Sequence, residues 1–258
     1  MVKRKKRKKN YWNLVKNVIY KSDIVLEVVD ARFPADSRNH YVEELVDKLN
    51  KKLVIVINKA DLVPESFLKK VVKQFSEEYP TIYLSARDRH GTRNLLKLIN
   101  KLRGDRWVKV GVVGYPNVGK SMVINVLKGR HSAPVAGTPG FTKGKQFLKV
   151  TKDIMLIDTP GVSPIRGKRS LAAKCAIDVS HSSDAEDLVV PLIKILNKKN
   201  PRAFKELYGF PVEDPYDFIE KIAEKYNLKM SGGKPDIQRA AVKIYKDWLT
   251  GKLKIYWL

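Results

Sequence analysis

The stretch GYPNVGKS at residues 114–121 follows an apolar run, WVKVGVVG (107–114), and leads into SMVINVLKG (121–129), which has helical spacing. It matches the pattern GxxxxGK[ST], in which glycines let the backbone wrap closely around phosphate groups. The N-terminus of the following helix then faces the anion. Such a short pattern can arise by chance, but a strand before it and a helix after it support it. The sequence therefore predicts a phosphate-binding loop between a strand and a helix.

Six residues of this segment are predicted to surround the phosphates of a nucleotide. The loop backbone would present N–H groups to the anion, the lysine would reach the β- and γ-phosphates, and the serine hydroxyl would bind Mg²⁺. A nucleotide with Mg²⁺ is therefore the expected ligand. The six residues are Asn117, Val118, Gly119, Lys120, Ser121 and Met122.

A second phosphate-site motif, DTPG at 158–161, ends a later apolar run. P-loop enzymes place the aspartate that supports Mg²⁺ at such a strand end, which assigns that role to Asp158 and places Gly161 beside the nucleotide. The intervening loop, APVAGTPGFTKGKQ (133–146), contains Thr142, which is suited to be the switch threonine that senses the metal. The predicted Mg²⁺ ligands are Ser121, Thr142 and Asp158.

The tetrapeptide NKAD at 58–61 precedes the phosphate loop, and its residues suit the recognition of guanine. The carboxylate of Asp61 can accept from N1–H and from the exocyclic amine of guanine, whereas adenine would present a lone pair at N1. Such a site discriminates between bases by about 10⁴–10⁵, because the wrong base leaves buried polar groups unpaired. Asn58 would tie the base loop together, the Lys59 stem would cover the base plane, and Ala60 completes the segment.

The tripeptide SAR at 85–87 also ends an apolar run and is predicted to offer a backbone N–H to the guanine carbonyl. Each of these short motifs is weak alone. Five of them at strand ends, on one edge of one sheet, predict a site for GTP or GDP. The residues assigned from this tripeptide are Ser85, Ala86 and Arg87.

The fold follows from the alternation of apolar runs with amphipathic stretches. Runs rich in Val, Ile and Leu are typical of buried parallel strands, and strand–helix alternation predicts a doubly wound, mostly parallel α/β sheet. The base motifs come before the phosphate motifs, the reverse of a Ras-like chain, so the P-loop GTPase domain is predicted to be circularly permuted. The predicted strands lie in residues 23–31, 52–60, 81–86, 107–114, 145–150 and 153–160.

At this point the chain resembles the YlqF/YawG family of circularly permuted GTPases, which take part in assembly of the large ribosomal subunit. The resemblance spans nearly the whole chain and implies binding to the large subunit or its precursor and to rRNA. It also implies a slow GTPase that the ribosomal subunit stimulates. The motifs that carry it are DARFP (30–34), NKAD, SAR, GYPNVGKS, PGFT (139–142), DTPG and SGG…DIQRAA (231–241).

Three segments are predicted: a basic N-terminal tail at 1–15, the permuted GTPase domain at 16–165, and a small helical domain at 166–258. In the last segment, Asp214 and Asp236 have the position of helix N-caps. Residues 166–254 contain 18 basic and 12 acidic side chains. This balance suits a helical domain that contacts RNA.

Composition favours a polyanionic partner. The chain has 51 Lys and Arg against 27 Asp and Glu, a formal net charge of +24, and seven of these cations lie within residues 3–9. Positive charge on this scale indicates nucleic acid, here RNA and not DNA. The single cysteine permits no internal disulfide, and the longest aliphatic run, residues 53–57, is far too short to cross a membrane, so a cytoplasmic protein is expected.

Catalysis is the least specified part of the prediction. Where a Ras-like enzyme has a water-orienting glutamine, Val162 follows Gly161, so no catalytic residue is assigned. A GTP-gated RNA-binding module with negligible hydrolysis, or a GTPase acting on another structured RNA, therefore stays open as an alternative. In similar GTPases, asparagine at the position of Asn117 helps to hold a monovalent cation, which implies K⁺ as a further cofactor.

Overall fold

The structure is a computed structural model that describes residues 2–129, 147–157, 179 and 184–258. The strands are β1 Ile24–Asp30, β2 Lys52–Asn58, β3 Thr81–Leu84, β4 Val108–Gly114, β5 Phe147–Lys149 and β6 Ile154–Ile157. In the described part of the chain they form one sheet in the order β3-β2-β1-β4-β6-β5. All pairings are parallel except that of β5 with β6. The predicted doubly wound, mostly parallel sheet is confirmed.

Helices connect the strands and make up the C-terminal part. They are α1 Val2–Lys21, α2 His40–Lys48, α3 Glu65–Phe75, α4 Thr92–Arg103, α5 Lys120–Lys128, α6 Ala185–Lys199, α7 Pro201–Tyr208, α8 Pro215–Lys225 and α9 Ile237–Leu249. The chain divides into two compact units, Met1–Arg166 with Leu258, and Gly167–Trp257. Among the described residues, no helix is long and apolar enough to span a membrane.

The position of β1 produces the permuted arrangement. β1 lies between β2 and β4 in the sheet, with Asp30 opposite Asn58 on one side and Val28 opposite Gly114 on the other. A single strand, β1, therefore separates the strand that ends in NKAD from the strand that leads into the phosphate loop. Because parallel strands point the same way, the predicted motifs assemble at one edge of the sheet although their order along the chain is reversed.

Helices α1, α2 and α3 cover one face of the sheet. Apolar side chains of these helices pack against inward-facing residues of β1 and β2, and most of these side chains are fully buried. In α1, Val15, Val18 and Ile19 belong to this core, so one continuous helix extends across the predicted boundary between the basic tail and the GTPase domain. Burial of this apolar surface is the main favourable term that holds the helices to the sheet.

The C-terminal unit has its own aromatic core. Trp248, Tyr208, Phe204 and Phe218 are almost fully buried, and the phenol of Tyr208 lies 3.1 Å from Asp247. The predicted caps are observed: Asp214 accepts from two backbone amides of α8, and Asp236 accepts from one of α9. These aromatic side chains therefore stabilise the unit from inside.

A carboxyl group lies inside the core of the nucleotide unit. Glu27 of β1 is fully buried, and its Oε1 accepts from the backbone N–H of Asn39 at 2.7 Å. Burial and the adjacent Glu43 carboxylate raise the pKa of Glu27 well above its usual range. Arg38 donates two hydrogen bonds to Glu43, of 2.7 and 3.0 Å, and the raised pKa of Glu27 favours its protonated form in the folded protein.

We expect Glu27→Gln to stabilise the protein at pH 8 by on the order of 1–3 kcal/mol and to have little effect at pH 5. Glutamine has the shape of the protonated acid and can still accept from Asn39. In the wild type, the folded state keeps a proton that the unfolded state has already lost above its usual pKa. The free energy of unfolding therefore decreases as pH rises through this window.

Urea unfolding at pH 5 and pH 8 measures the effect, with Glu44→Gln on the exposed side of α2 as a matched control. The control should follow the wild-type pH dependence. Equal pH dependence in Glu27→Gln and the wild type would show that Glu27 is ionised in the folded protein.

Candidate guanine-nucleotide site

The phosphate loop has the backbone that its sequence predicts. It connects the end of β4 with the start of α5, and Asn117 and Gly119 have φ angles of 64° and 96°. A Cβ on Gly119 would lie 2.2 Å from the Nδ2 atom of Asn58, so this position has no room for a side chain. The N-cap of α5 is Gly119, which supplies no side-chain acceptor, and the first amides of the helix therefore face the loop.

Lys120 is held inside this loop. The residue is 6% exposed, and its ammonium group donates to the backbone carbonyl of Tyr115 at 2.6 Å. Burial lowers the pKa of Lys120 to about 8. A phosphate placed in the loop would favour the charged form and raise that pKa again, because opposite charges stabilise each other in a buried site.

Asn58 joins the base loop, the SAR segment and the phosphate loop. Its Nδ2 donates to the Val118 carbonyl at 2.8 Å, and its Oδ1 accepts from the N–H of Ala86 at 3.1 Å. Asn58 and Val118 are sixty positions apart in the sequence, and the asparagine side chain is buried. The expected tying role of Asn58 thus extends beyond the base loop to the loop that would hold the phosphates.

We expect Asn58→Ala to destabilise the protein by about 2–4 kcal/mol, because it leaves a buried carbonyl and a buried N–H without partners. The same change should weaken nucleotide binding, since the base and phosphate loops are no longer held together. Urea unfolding and nucleotide titration measure the two effects. Asn94→Ala, at an exposed position of α4, should stay within about 0.5 kcal/mol of the wild type. An unchanged unfolding midpoint for Asn58→Ala would contradict this role.

Asp61 is positioned with both carboxylate oxygens engaged. Oδ1 accepts from the Ser85 hydroxyl at 2.6 Å, and Oδ2 pairs with the Arg87 guanidinium at 2.9 Å. The Asp61 side chain is 11% exposed, whereas that of Arg87 is 58% exposed. Ser85 therefore orients the carboxylate from the protein side, and the exposed arginine occupies an oxygen that guanine donors would take.

Two of the three backbone N–H groups of the SAR segment are engaged within the protein. The N–H of Ala86 donates to Asn58, and that of Ser85 donates to the His90 carbonyl. Within this tripeptide, the N–H of Arg87 is then the group left to reach a guanine carbonyl. Ala60 is buried beside the base loop.

Lys59 reveals a buried charge cluster that the sequence reasoning missed. Its φ is 67°, and its ammonium pairs with Asp30 at 2.8 Å. Arg32 binds the same carboxylate through Nε and Nη2 at 2.9 and 2.8 Å. Burial alone would raise the pKa of Asp30, but Arg32 and Lys59 outweigh it and hold that pKa below its usual range. The DARFP motif at the end of β1 was the available signal.

The residues that would hold Mg²⁺ lie partly outside the described ranges. Ser121 is exposed at the start of α5, next to Lys120, and Met122 is 44% exposed. Thr142, Asp158 and Gly161 lie outside the described residues. Within the described ranges, no group of three or more His, Cys, Asp or Glu side chains could hold a metal ion.

Fold and site together define a P-loop GTPase domain with permuted strand order. A family model described as RsgA GTPase matches residues 2–166, and one described as 50S ribosome-binding GTPase matches residues 109–225. The chain belongs to the circularly permuted GTPases, and its predicted membership of the YlqF/YawG family is confirmed.

Similar proteins and structures extend over nearly the whole chain. A GTP-binding protein of Methanocaldococcus jannaschii is 38% identical over 94% of this chain and 66% of its own length. Nucleolar GTP-binding protein 2 of Saccharomyces cerevisiae is 35% identical over 95% of this chain and 52% of its own length. The chain therefore spans about half to two thirds of these relatives. Among solved structures, GDP-bound YlqF of T. maritima has a TM-score of 0.67 at 27% identity and covers 94% of this chain and 96% of its own. The GNP-bound form has a TM-score of 0.66.

Proposed function

We propose that this protein binds GTP and hydrolyses it slowly, as a switch in assembly of the large ribosomal subunit. The observation that carries the proposal is Asn58, whose side chain joins the base loop, the SAR segment and the phosphate loop into one site. Asp61 and Ser85 then read guanine, and Lys120 with the first amides of α5 binds the phosphates. The YlqF structures bound to GDP and GNP support this assignment.

The proposed cofactor is Mg²⁺, held by Ser121 with Thr142 and Asp158. When bound, the ion would neutralise charge on the phosphate oxygens. Two groups among the described residues bind the phosphates directly. Lys120 places a cation against the phosphates, and the first amides of α5 orient the phosphates. No residue is assigned to orient the attacking water, which is the reason for proposing slow hydrolysis by the protein alone.

The proposed partner is rRNA within the large subunit or its precursor. Support comes from the net charge of +24, from the match to a model described as 50S ribosome-binding GTPase, and from the nucleolar relatives. The helical unit Gly167–Trp257 is proposed to contribute RNA contacts, and a cytoplasmic location stays a prediction. A strongly basic surface provides the electrostatic attraction that binds nucleic-acid phosphates.

The test is phosphate release from GTP by the purified full chain, with and without large ribosomal subunits. Slow release alone and faster release with subunits are expected, with ATP as the nucleotide control. Binding of GTP and of subunits without any release in either condition would instead favour the GTP-gated RNA-binding module.

We further expect hydrolysis to be faster in K⁺ than in Na⁺ at equal ionic strength, by on the order of tenfold. Asn117 has the left-handed backbone, with φ 64°, within the loop that would face the phosphates. An amide oxygen there can help to hold a K⁺ ion, which would offset the charge that develops between the β- and γ-phosphates. Asn117→Ala and Asn117→Ser should lose the difference between the two salts and still bind GTP. Equal wild-type rates in both salts, with and without ribosomes, would contradict the K⁺ site.

A further inference from the structure

A basic cavity lies at the edge of the sheet opposite the nucleotide loops. The amino ends of β1, β2 and β4 meet there with the C-terminal end of α4, and they enclose a volume of about 290 Å³. Lys52 is the first residue of β2 and lies at this edge, and Asn58 is the last residue of the same strand and lies at the nucleotide edge. Seven strand residues separate the two edges by roughly 20 Å. The cavity is therefore separate from the proposed guanine-nucleotide site.

Four cations and one carboxylate line this cavity. Lys51, Lys52, Arg103 and Arg106 face Asp23, whose Oδ2 is already engaged by the backbone N–H of Lys109 at 2.7 Å. Lys51 donates to backbone carbonyls, at 2.6 Å for Ser22, and Lys52 donates to the carbonyl of Leu102. Arg103 pairs with Asp153 at 3.3 Å, but among the described residues no acidic side chain forms an ion pair with Lys51, Lys52 or Arg106. The cavity thus has positive charge to offer an anion.

An exposed indole completes the cavity. Trp107 is 48% exposed, and the ammonium group of Lys109 lies 5.4 Å from its ring centroid. A half-exposed indole leaves part of its ring surface accessible to a ligand, and the neighbouring cations can hold a phosphate. Arg103, the partner of Asp153, lies in the last turn of α4, and the backbone N–H of Arg106 donates to the Arg103 carbonyl at 3.4 Å. The side chains of Arg106 and Trp107 follow the helix and line the cavity.

We infer that this cavity binds a nucleotide of single-stranded RNA, with the base stacked on Trp107 and the phosphate held by Lys52 and Arg106. Aromatic stacking with adjacent cations is the usual basis of single-strand binding, because every base has a π-face and every nucleotide has a phosphate. A cavity of this volume admits a single unpaired nucleotide and not a duplex. The inference rests on the proposed RNA partner and adds a second contact surface on the nucleotide unit.

The test uses the full chain and a labelled single-stranded RNA of twelve nucleotides, with binding followed by fluorescence anisotropy at several salt concentrations. Trp107→Ala should weaken binding by on the order of tenfold, since one stacked base contributes that much. Trp107→Phe should retain most of the affinity. Arg106→Glu should also weaken binding and reduce the salt slope by about 0.7, the value for one phosphate contact on a single strand.

A further variant, Lys52→Glu, should also weaken RNA binding. Its matched control is Lys70→Glu on the exposed side of α3, which makes the same charge change. It should change RNA affinity less than Lys52→Glu does. GTP affinity should be the same in every variant, and an RNA duplex should show no dependence on Trp107.

Three results would overturn the inference. If Trp107→Ala binds the single strand as the wild type does, the cavity is not the RNA site, although RNA binding and GTP binding by the chain still support the proposed function. If heparin shows the same dependence on Trp107 and Arg106, the cavity recognises polyanions and not RNA bases. If the wild type does not bind RNA at all while GTP still binds, both this inference and the proposed RNA partner are wrong.

Discussion

Asp61→Asn is expected to lower GTP affinity by at least about 100-fold and to make XTP the preferred nucleotide. In the proposed site the carboxylate would accept from two neighbouring donors of guanine, and an asparagine in its place turns one acceptor into a donor. Xanthine has a carbonyl where guanine has the amine, so it fits the changed side chain. Ser85 fixes the orientation of residue 61 through the 2.6 Å hydrogen bond, which is why the swap should act on base choice and not on the fold.

Competition of GTP and XTP for the purified protein measures this change. Asp88→Asn is the matched control, because Asp88 also contacts Ser85 and Arg87 but lies outside NKAD and is about half exposed. The control should keep its preference for GTP. If Asp61→Asn also prefers GTP, residues other than Asp61 recognise the guanine base.

Lys120→Ala should reduce GTP affinity by about 2–5 kcal/mol, roughly 30- to 5,000-fold, since it removes the cation opposite the phosphates. The GTP affinity of the wild type should depend on pH in a way that the affinity of the variant does not. With the pKa of Lys120 at about 8 in the nucleotide-free protein, the side chain is already charged below pH 8 and affinity is flat there. Above pH 8 binding must take up a proton, so affinity decreases as pH rises.

Isothermal titration calorimetry between pH 6.5 and 9 tests both the loss of GTP affinity and the pH dependence of that affinity. Lys128→Ala, in the last turn of the same helix, should keep the affinity and the pH dependence of the wild type. If Lys120→Ala binds GTP with an affinity within about threefold of the wild type, Lys120 does not contribute to the nucleotide site.

The sheet was predictable because its central strands, β1, β2 and β4, are rich in Val, Ile and Leu, as is typical of strands buried on both faces. All six predicted runs contain a strand, from Ile24–Asp30 to Ile154–Ile157. The meeting of NKAD, SAR and GYPNVGKS was predictable for a related reason. Motifs that end parallel strands must share an edge whichever strand begins the chain.

Contacts between polar side chains were harder to foresee. The pairing of Lys59 with Asp30 joins residues 29 positions apart, and the pairing of Arg87 with Asp61 depends on the turn at Ser85. Local sequence specifies neither, because each needs the finished arrangement of two loops.

The place of β1 in the sheet has a consequence for synthesis of the protein on the ribosome. The base-reading half, β1 to β3, emerges first, and the edge of β1 that will bind β4 stays unpaired until residues Val108–Gly114 are made. At about 5–20 residues per second this interval lasts roughly 4–17 s. During that time an open strand edge is exposed to other chains. The strand that carries the phosphate loop therefore covers this edge of β1, and the base and phosphate loops can meet only after this step.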